Sequence, residues 1–556
     1  MRIAATAHWM AIALTAIAAL SCVSRPVPSA VVAPPPAATT AVPPTAARVS
    51  PPAASGTSTP TPTPTPTPTV AAVVATTTTT TATTMVAPTA TATVPASASV
   101  AYRDRIPREK VLPTKERVDY LDAALADYWR EVLPNGATMA VKRQSGRRTA
   151  AARIVLARDV AGKAKDAGLE ALALSAVAKS PAGSGYGSVE LAAFNAGGSV
   201  ELKLEDYDDV ALEILCPVEA LAGILELAAR SLASPSFPKG DFDRALREAR
   251  VAERRESGDP LLRAAAELRS GMYRGHPYGV PPRGTANNLA SVTREDLLRF
   301  WSSRFGAERL AVVIVADIDP RELARRLGPA FAALPKRNAS QAKVAPLPIR
   351  PWFKALSLSA TPGTAVMRGE FSAPDPSTDD YAALTVALAM LDDLLLEGLR
   401  GQKGLAYGAW TRLSAAAAPS ASLTVFKTGN PAAAKTAVDA AIATLSGGLC
   451  LGVDDAGGRL GPIARSLEAY KLRAITASYS KGASSQGMAA RIARDLAAGG
   501  DGTALFRMAG RIRAVGAEDV VRVARQRLLE GPSGWVALGD PDLVLGLPLS
   551  AFVPRN

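Results

Sequence analysis

Two stretches of this chain repeat one another, and the repeat limits the possible folds more than any other feature does. SVTREDLLRFWSSRF at 291–305 lies over AVGAEDVVRVARQRL at 514–528, with Val292, Glu295, Asp296, Arg299 and Arg304 falling on Val515, Glu518, Asp519, Arg522 and Arg527 at a constant offset. Each copy runs on into an apolar strand and an Asp-Pro pair: LAVVIVADIDP from Leu310, and GWVALGDPD from Gly534. A few identities arise by chance. The same helix, strand and turn order after them does not, so the chain reads as two homologous halves, 116–338 and 351–556, joined by a linker at 339–350.

Periodicity within the first half gives the class. A polar-to-apolar helix is expected at 118–129, followed by the turn Leu133-Pro134-Asn135-Gly136 and strands at 137–142 and 151–157. A strongly apolar helix follows at 168–179, then strands at 200–204 and 210–216, and helices at 218–232 and 239–255. Long helices interspersed with short strands point to α+β: two homologous domains, each a mostly antiparallel sheet covered by helices.

Ahead of these halves, 1–22 has the layout of an export signal, with Arg2, an apolar stretch and then Ala19-Leu20-Ser21-Cys22. The site resembles that of a lipoprotein signal peptide, which makes Cys22 the expected lipid-attachment residue and places the protein in the periplasm or on a tether at the outer membrane; a retained N-terminal membrane anchor is the alternative. Residues 23–115, dominated at first by Pro, Thr, Ala and Val and including TPTPTPTPT, read as a disordered spacer between membrane and folded body. The remaining cysteines, Cys216 and Cys450, sit in apolar contexts and imply neither a disulfide framework nor a metal cluster. The chain has 63 Lys+Arg against 50 Asp+Glu, and the excess is spread along helical faces such as 244–255 without interleaved aromatics, so nucleic acid is not an expected partner.

One short stretch looks chemically pointed. LRGQKGLAYGAW, 399–410, follows an apolar run at 384–399 that reads as a helix, with Gly401 and Gly404 placed to end it and turn the backbone into a strand. Arg400 at the helix end and Tyr407 at the strand start would then face one groove, a rigid fork of donors beside a hydroxyl on a stiff ring. In isolation such a pair reads equally as a surface arginine beside a half-buried tyrosine.

Several motifs in order carry a family resemblance. They are Leu133-Pro134-Asn135-Gly136, Pro235-Ser236-Phe237 before the helix at Asp241, Gly275-His276-Pro277-Tyr278-Gly279, Val292-Thr293-Arg294-Glu295-Asp296-Leu297, Pro374-Asp375-Pro376 and Lys403-Gly404-Leu405-Ala406-Tyr407. On these the chain resembles the insulinase/pitrilysin-like (M16) zinc peptidases, of the short two-domain type similar to mitochondrial processing peptidase subunits. The resemblance implies an inverted zinc motif, His-x-x-Glu-His, on the helix that begins Gly168-Leu169, and a glutamate from a later helix. By position the two histidines fall on Ala171 and Ser175, the general base on Leu174 and the distal glutamate at Val251, so all four are lost. The whole chain has two histidines, His8 and His276, and His8 lies in the signal segment. No two-histidine zinc site is possible in the mature chain, and His276 reads as a structural loop residue. A substitute carboxylate site would have to use Glu170 and Glu248.

The resemblance also implies a role for the second half, in which an arginine and a tyrosine of this spacing bind the substrate backbone near the scissile bond; Arg400 and Tyr407 match them residue by residue. A glycine- and serine-rich loop is expected before that helix, and 391–396, LDDLLL, stands in its place. The function expected is a zinc-less, substrate-binding subunit of a heterodimeric metallopeptidase acting on peptides outside the cytoplasm. This chain would hold no cofactor, and zinc would sit in a partner chain with an intact motif. The alternative is a non-enzymatic scaffold or peptide-binding lipoprotein.

Overall fold

The computed structural model describes residues 125–552 apart from 159–163, 184, 205–206, 338–343, 360, 402 and 453–458. The signal segment with Cys22, the spacer and most of the helix expected at 118–129 lie outside them. Where that helix enters the described residues, Leu125 and Ala126 are helical but its end is corrected: Tyr128 and Trp129 begin strand β1 (Tyr128–Val132), paired antiparallel to β2 (Thr138–Arg143) across the Leu133–Gly136 turn. The helical pattern there competes with a hairpin signal, and the hairpin wins because Gly136 supplies the left-handed turn (φ 90°), while Asn135 donates to the carbonyls of Phe331 and Leu334.

The first sheet is completed by β3 (Thr149–Ala157), β4 (Ser199–Lys203), β5 (Asp209–Pro217) and β6 (Leu310–Ala316), in the order β1-β2-β6-β3-β5-β4. The second half supplies β7 (Trp352–Ser357), β8 (Ala365–Ser372), β9 (Ala406–Leu413) and β10 (Ser420–Thr428), a two-stranded ribbon of β11 (Leu449–Leu451) and β12 (Leu460–Pro462), and β13 (Ser533–Gly539). Its sheet runs β7-β13-β8-β10-β9. Set side by side, β2-β6-β3-β5-β4 and β7-β13-β8-β10-β9 match strand for strand. In both, the chain's late strand pairs parallel to the first of the five (β6 with β2, β13 with β7) and the other pairings are antiparallel. This is the α+β repeat expected from 291–305 and 514–528.

The repeated identities do the same local work in both copies. Asp296 accepts the backbone N–H of Thr293, and Asp519 that of Gly516, which seals the first turn of each helix. Arg299 then donates to Asp296 at 2.8 Å and Arg522 to Asp519 at 3.1 Å. Each Asp-Pro is an N-cap followed by proline at the first helical position: Asp319 accepts from Arg321 and Glu322, and Asp540 from Asp542.

Each sheet buries one face under its own helices and the other under a helix from the opposite half. Ala140, Ala151, Val155, Val313 and Val315 on the second face of the first sheet pack against Ala489, Ile492 and Ala493 of helix Ser485–Ala497. In return, Ala264, Leu268 and Met272 of helix Pro260–Met272 lie on Val366, Val536 and Leu538 of the second sheet. Strands covered on both faces lose their alternation, which is why β6 reads LAVVIVA and is buried throughout. Cys216 and Cys450 are buried, unpaired thiols, and desolvation pushes Cys216 up to about 11.

Candidate functional site

Helix Leu169–Lys179 starts after Gly168, whose left-handed backbone (φ 88°) faces the Arg283 carbonyl so closely that a side chain would clash. The helix then presents no imidazole or carboxylate where the resemblance called for ligands. Ala171 and Leu174 belong to the apolar core, Ser175 is half-buried, and Val251, on the facing helix Lys239–Gly258, is 49% exposed. The two carboxylates nearest in sequence are already engaged. Glu170 pairs with buried Arg309, which also donates to the Ala157 and Arg304 carbonyls; Glu248 pairs with Lys179 at 3.0 Å, and Lys179 reaches Glu190 at 3.4 Å. No group of three or more His, Cys, Asp or Glu suited to a metal occurs among the described residues. Zinc therefore does not fit this helix: neither the ligand atoms nor a spare carboxylate is there.

His276 has a structural part. Its Nδ1 accepts the Tyr278 N–H at 3.1 Å, so the proton sits on Nε2, which lies 2.9 Å from the Ala345 carbonyl within the linker. The neighbouring Tyr278 hydroxyl bonds Asp208, and Asp208 also accepts the N–H of Ala417 from the second half at 2.7 Å. The GHPYG turn thus fastens one half to the other.

Arg400 and Tyr407 are brought together. The α-helix preceding them, Asp379–Leu395, widens into a π-helical turn, Leu396–Gly401, that ends at Gly401. The turn toward the strand comes at Gly404, the one glycine of the pair in the left-handed region (φ 57°), and the Leu405 N–H closes back on the Leu399 carbonyl. β9 then begins at Ala406. The guanidinium of Arg400 lies 5.7 Å from the centre of the Tyr407 ring, and Tyr407 is 61% exposed. Its ring meets Phe426 edge-on at 6.1 Å, and Trp410, 39% exposed, leans on the same Phe426 at 6.2 Å. Lys427 stands 5.4 Å from the centre of the Phe426 ring.

β9 is the outer strand of its sheet, so part of its backbone is open to an added strand. One position is taken: the Thr411 N–H donates to Asp392 at 2.6 Å. Asp392 and Asp393 lie within the helix, and no glycine-rich loop precedes the pair. Asp393 is held by Arg473 and by the Tyr470 hydroxyl at 2.8 Å. Burial, outweighing the bonds from Thr411, pushes Asp392 up to about 7. Phe426, Lys427 and Asp392 escaped the sequence reading. Trp410 lay inside the stretch singled out, but its offset of three from Tyr407 on a strand gives no sign that both rings reach Phe426; Lys427 had no signal, because its place depends on a bulge in β10 between Val425 and Thr428.

Residues 291–449 match the family model for the peptidase M16 inactive domain, a span from the capped helix Arg294–Arg304 through the Arg400–Tyr407 stretch. No curated protein matches. Among solved structures, the chain is similar to a peptidase M16 inactive domain from Pseudomonas fluorescens (17% identity, TM-score 0.62, covering 74% of this chain and 98% of that one). It is similar to a protease from Helicobacter pylori at 17% identity and TM-score 0.63, covering 74% and 99%. A chain of the Candida albicans complex III2 bound to Inz-5 gives 13% identity and TM-score 0.61, covering 75% and 96%.

Proposed function

We propose that this chain is an M16-like peptidase family member that serves as a non-catalytic, substrate-binding subunit and works beside a zinc-bearing chain of the same family. The observation that carries this reading is the contrast between the two halves. The helix that would hold zinc has alanine and serine at the ligand positions, leucine at the base position and ion pairs on Glu170 and Glu248, while Arg400 and Tyr407 stand together at an outer sheet strand.

A peptide laid along β9 between Tyr407 and Trp410 would gain main-chain hydrogen bonds from the strand, and Arg400 and the Tyr407 hydroxyl would meet its carbonyls. Beyond Trp410 the edge is capped by Asp392, so the added strand would be short. Zinc and the general base belong, in this reading, to the partner. The lipoprotein-like site at Cys22 would hold the assembly outside the cytoplasm.

Purification from the native source tests the partnership: a co-purifying chain with an intact His-x-x-Glu-His motif is expected, and its consistent absence would sink the reading. In the recovered complex, Arg400→Ala with Tyr407→Phe is expected to raise KM and lower turnover while assembly is retained. A scaffold predicts that both substitutions leave activity unchanged.

A further inference from the structure

We propose that the Arg400–Tyr407 end of β9 selects peptides presenting a carboxylate, carried by an acidic side chain or by the peptide's own C-terminus. This rests on the peptide-binding reading above and names the substrate class of the same site. The ledge there is built of three aromatic rings with two cations against them. Arg400 lies over Tyr407, Tyr407 and Trp410 both lean on Phe426, and Lys427 stands over Phe426 at 5.4 Å. Lys427 is exposed and has no carboxylate partner among the described residues; Lys403, beside Gly404, is in the same state. A peptide passing along 406–410 would travel between these cations.

Two acids of the neighbourhood are turned to other tasks. Asp393 is bound by Arg473 and Tyr470, and Asp392 accepts the Thr411 N–H. Positive charge also continues along the strand. Arg412 follows on β9, and Lys481, desolvated near Arg412, Arg491 and Arg494, titrates below the usual lysine range. A peptide carboxylate would be attracted along this edge and a basic segment repelled.

The backbone of Lys427 adds an independent argument. Its φ of 53° places a lysine in the left-handed region at the β10 bulge, where glycine would sit without strain. A strained side-chain-bearing residue at an exposed bulge fits a position kept for its cation.

The test is fluorescence anisotropy on the full chain with an eight-residue peptide in three forms, carrying Glu, Gln or Lys at two positions. At low salt the Glu form is expected to bind about tenfold tighter than its Gln isostere, with the ratio shrinking as salt rises. Lys427→Gly removes the cation and the strain together, so it is expected to bring the ratio toward one while thermal stability holds or rises; Lys427→Gln serves as the variant that keeps a side chain. Amidating the C-terminus of the Gln form tests the second source: a loss of affinity against its free-acid counterpart belongs to the terminal carboxylate, and a Glu-over-Gln preference belongs to side chains. Equal binding of the Glu and Gln forms together with no loss on amidation overturns the carboxylate preference and leaves peptide binding standing. Failure of all three forms to bind overturns both, and an undiminished preference in both Lys427 variants removes Lys427 from the site.

Discussion

Asp392 links the apolar helix Asp379–Leu395 to the candidate site, and its chemistry can be read by titration. With a folded pKa near 7 and an ordinary unfolded value near 4, the native state holds a proton that the unfolded chain has released. Stability is therefore expected to fall as pH rises from about 4 to about 7 and to level off above, by at most about 4 kcal/mol from this one group. Asp392→Asn keeps an oxygen for the Thr411 N–H and should flatten that slope, which urea midpoints taken across the interval would reveal. Arg400 and Tyr407 call for the opposite experiment. Both are exposed, so Arg400→Ala and Tyr407→Ala are each expected to shift stability by under about 1 kcal/mol, leaving any loss of peptide binding attributable to the site. The pair was legible from spacing and context, whereas Asp392 was not: an aspartate in an apolar helix shows nothing of its burial until the strand beside it is known.

At the scale of elements, the helix Ser485–Ala497 matters out of proportion to its length. Ile492 is fully buried between it and the first sheet, and Ile492→Ala is expected to destabilise the whole chain by about 2–4 kcal/mol, measured as a change in denaturation midpoint with the slope kept. A thermal scan in which only the second half melts earlier would contradict this, because the helix belongs by sequence to one half and by packing to the other. Strands β3 and β6 were found from their apolar runs and the hairpin β1–β2 in part. The helix expected at 118–129 gave way at Tyr128 and Trp129 because propensity over a few residues is a weak constraint beside a turn glycine and strand pairing.

For the whole molecule, the reciprocal packing has a consequence that neither half shows alone. Expressed separately, 116–338 would expose Ala140, Val155 and Val313, and 351–556 would expose Val366, Val536 and Leu538. Each piece alone is expected to aggregate, and the two co-expressed are expected to co-elute as one particle in size-exclusion chromatography. Two independently soluble, monomeric halves would refute this account of the interface. By itself the sequence determined the repeat, the α+β class and the loss of the zinc ligands, since caps, apolar periods and a histidine count are local properties of the chain. Tertiary structure alone decided which helix covers which sheet, that Glu170 and Glu248 are held in ion pairs, and that Phe426, Lys427 and Trp410 gather around Arg400 and Tyr407. Those contacts join residues distant along the chain, and only strand order, register and the β10 bulge bring them within reach.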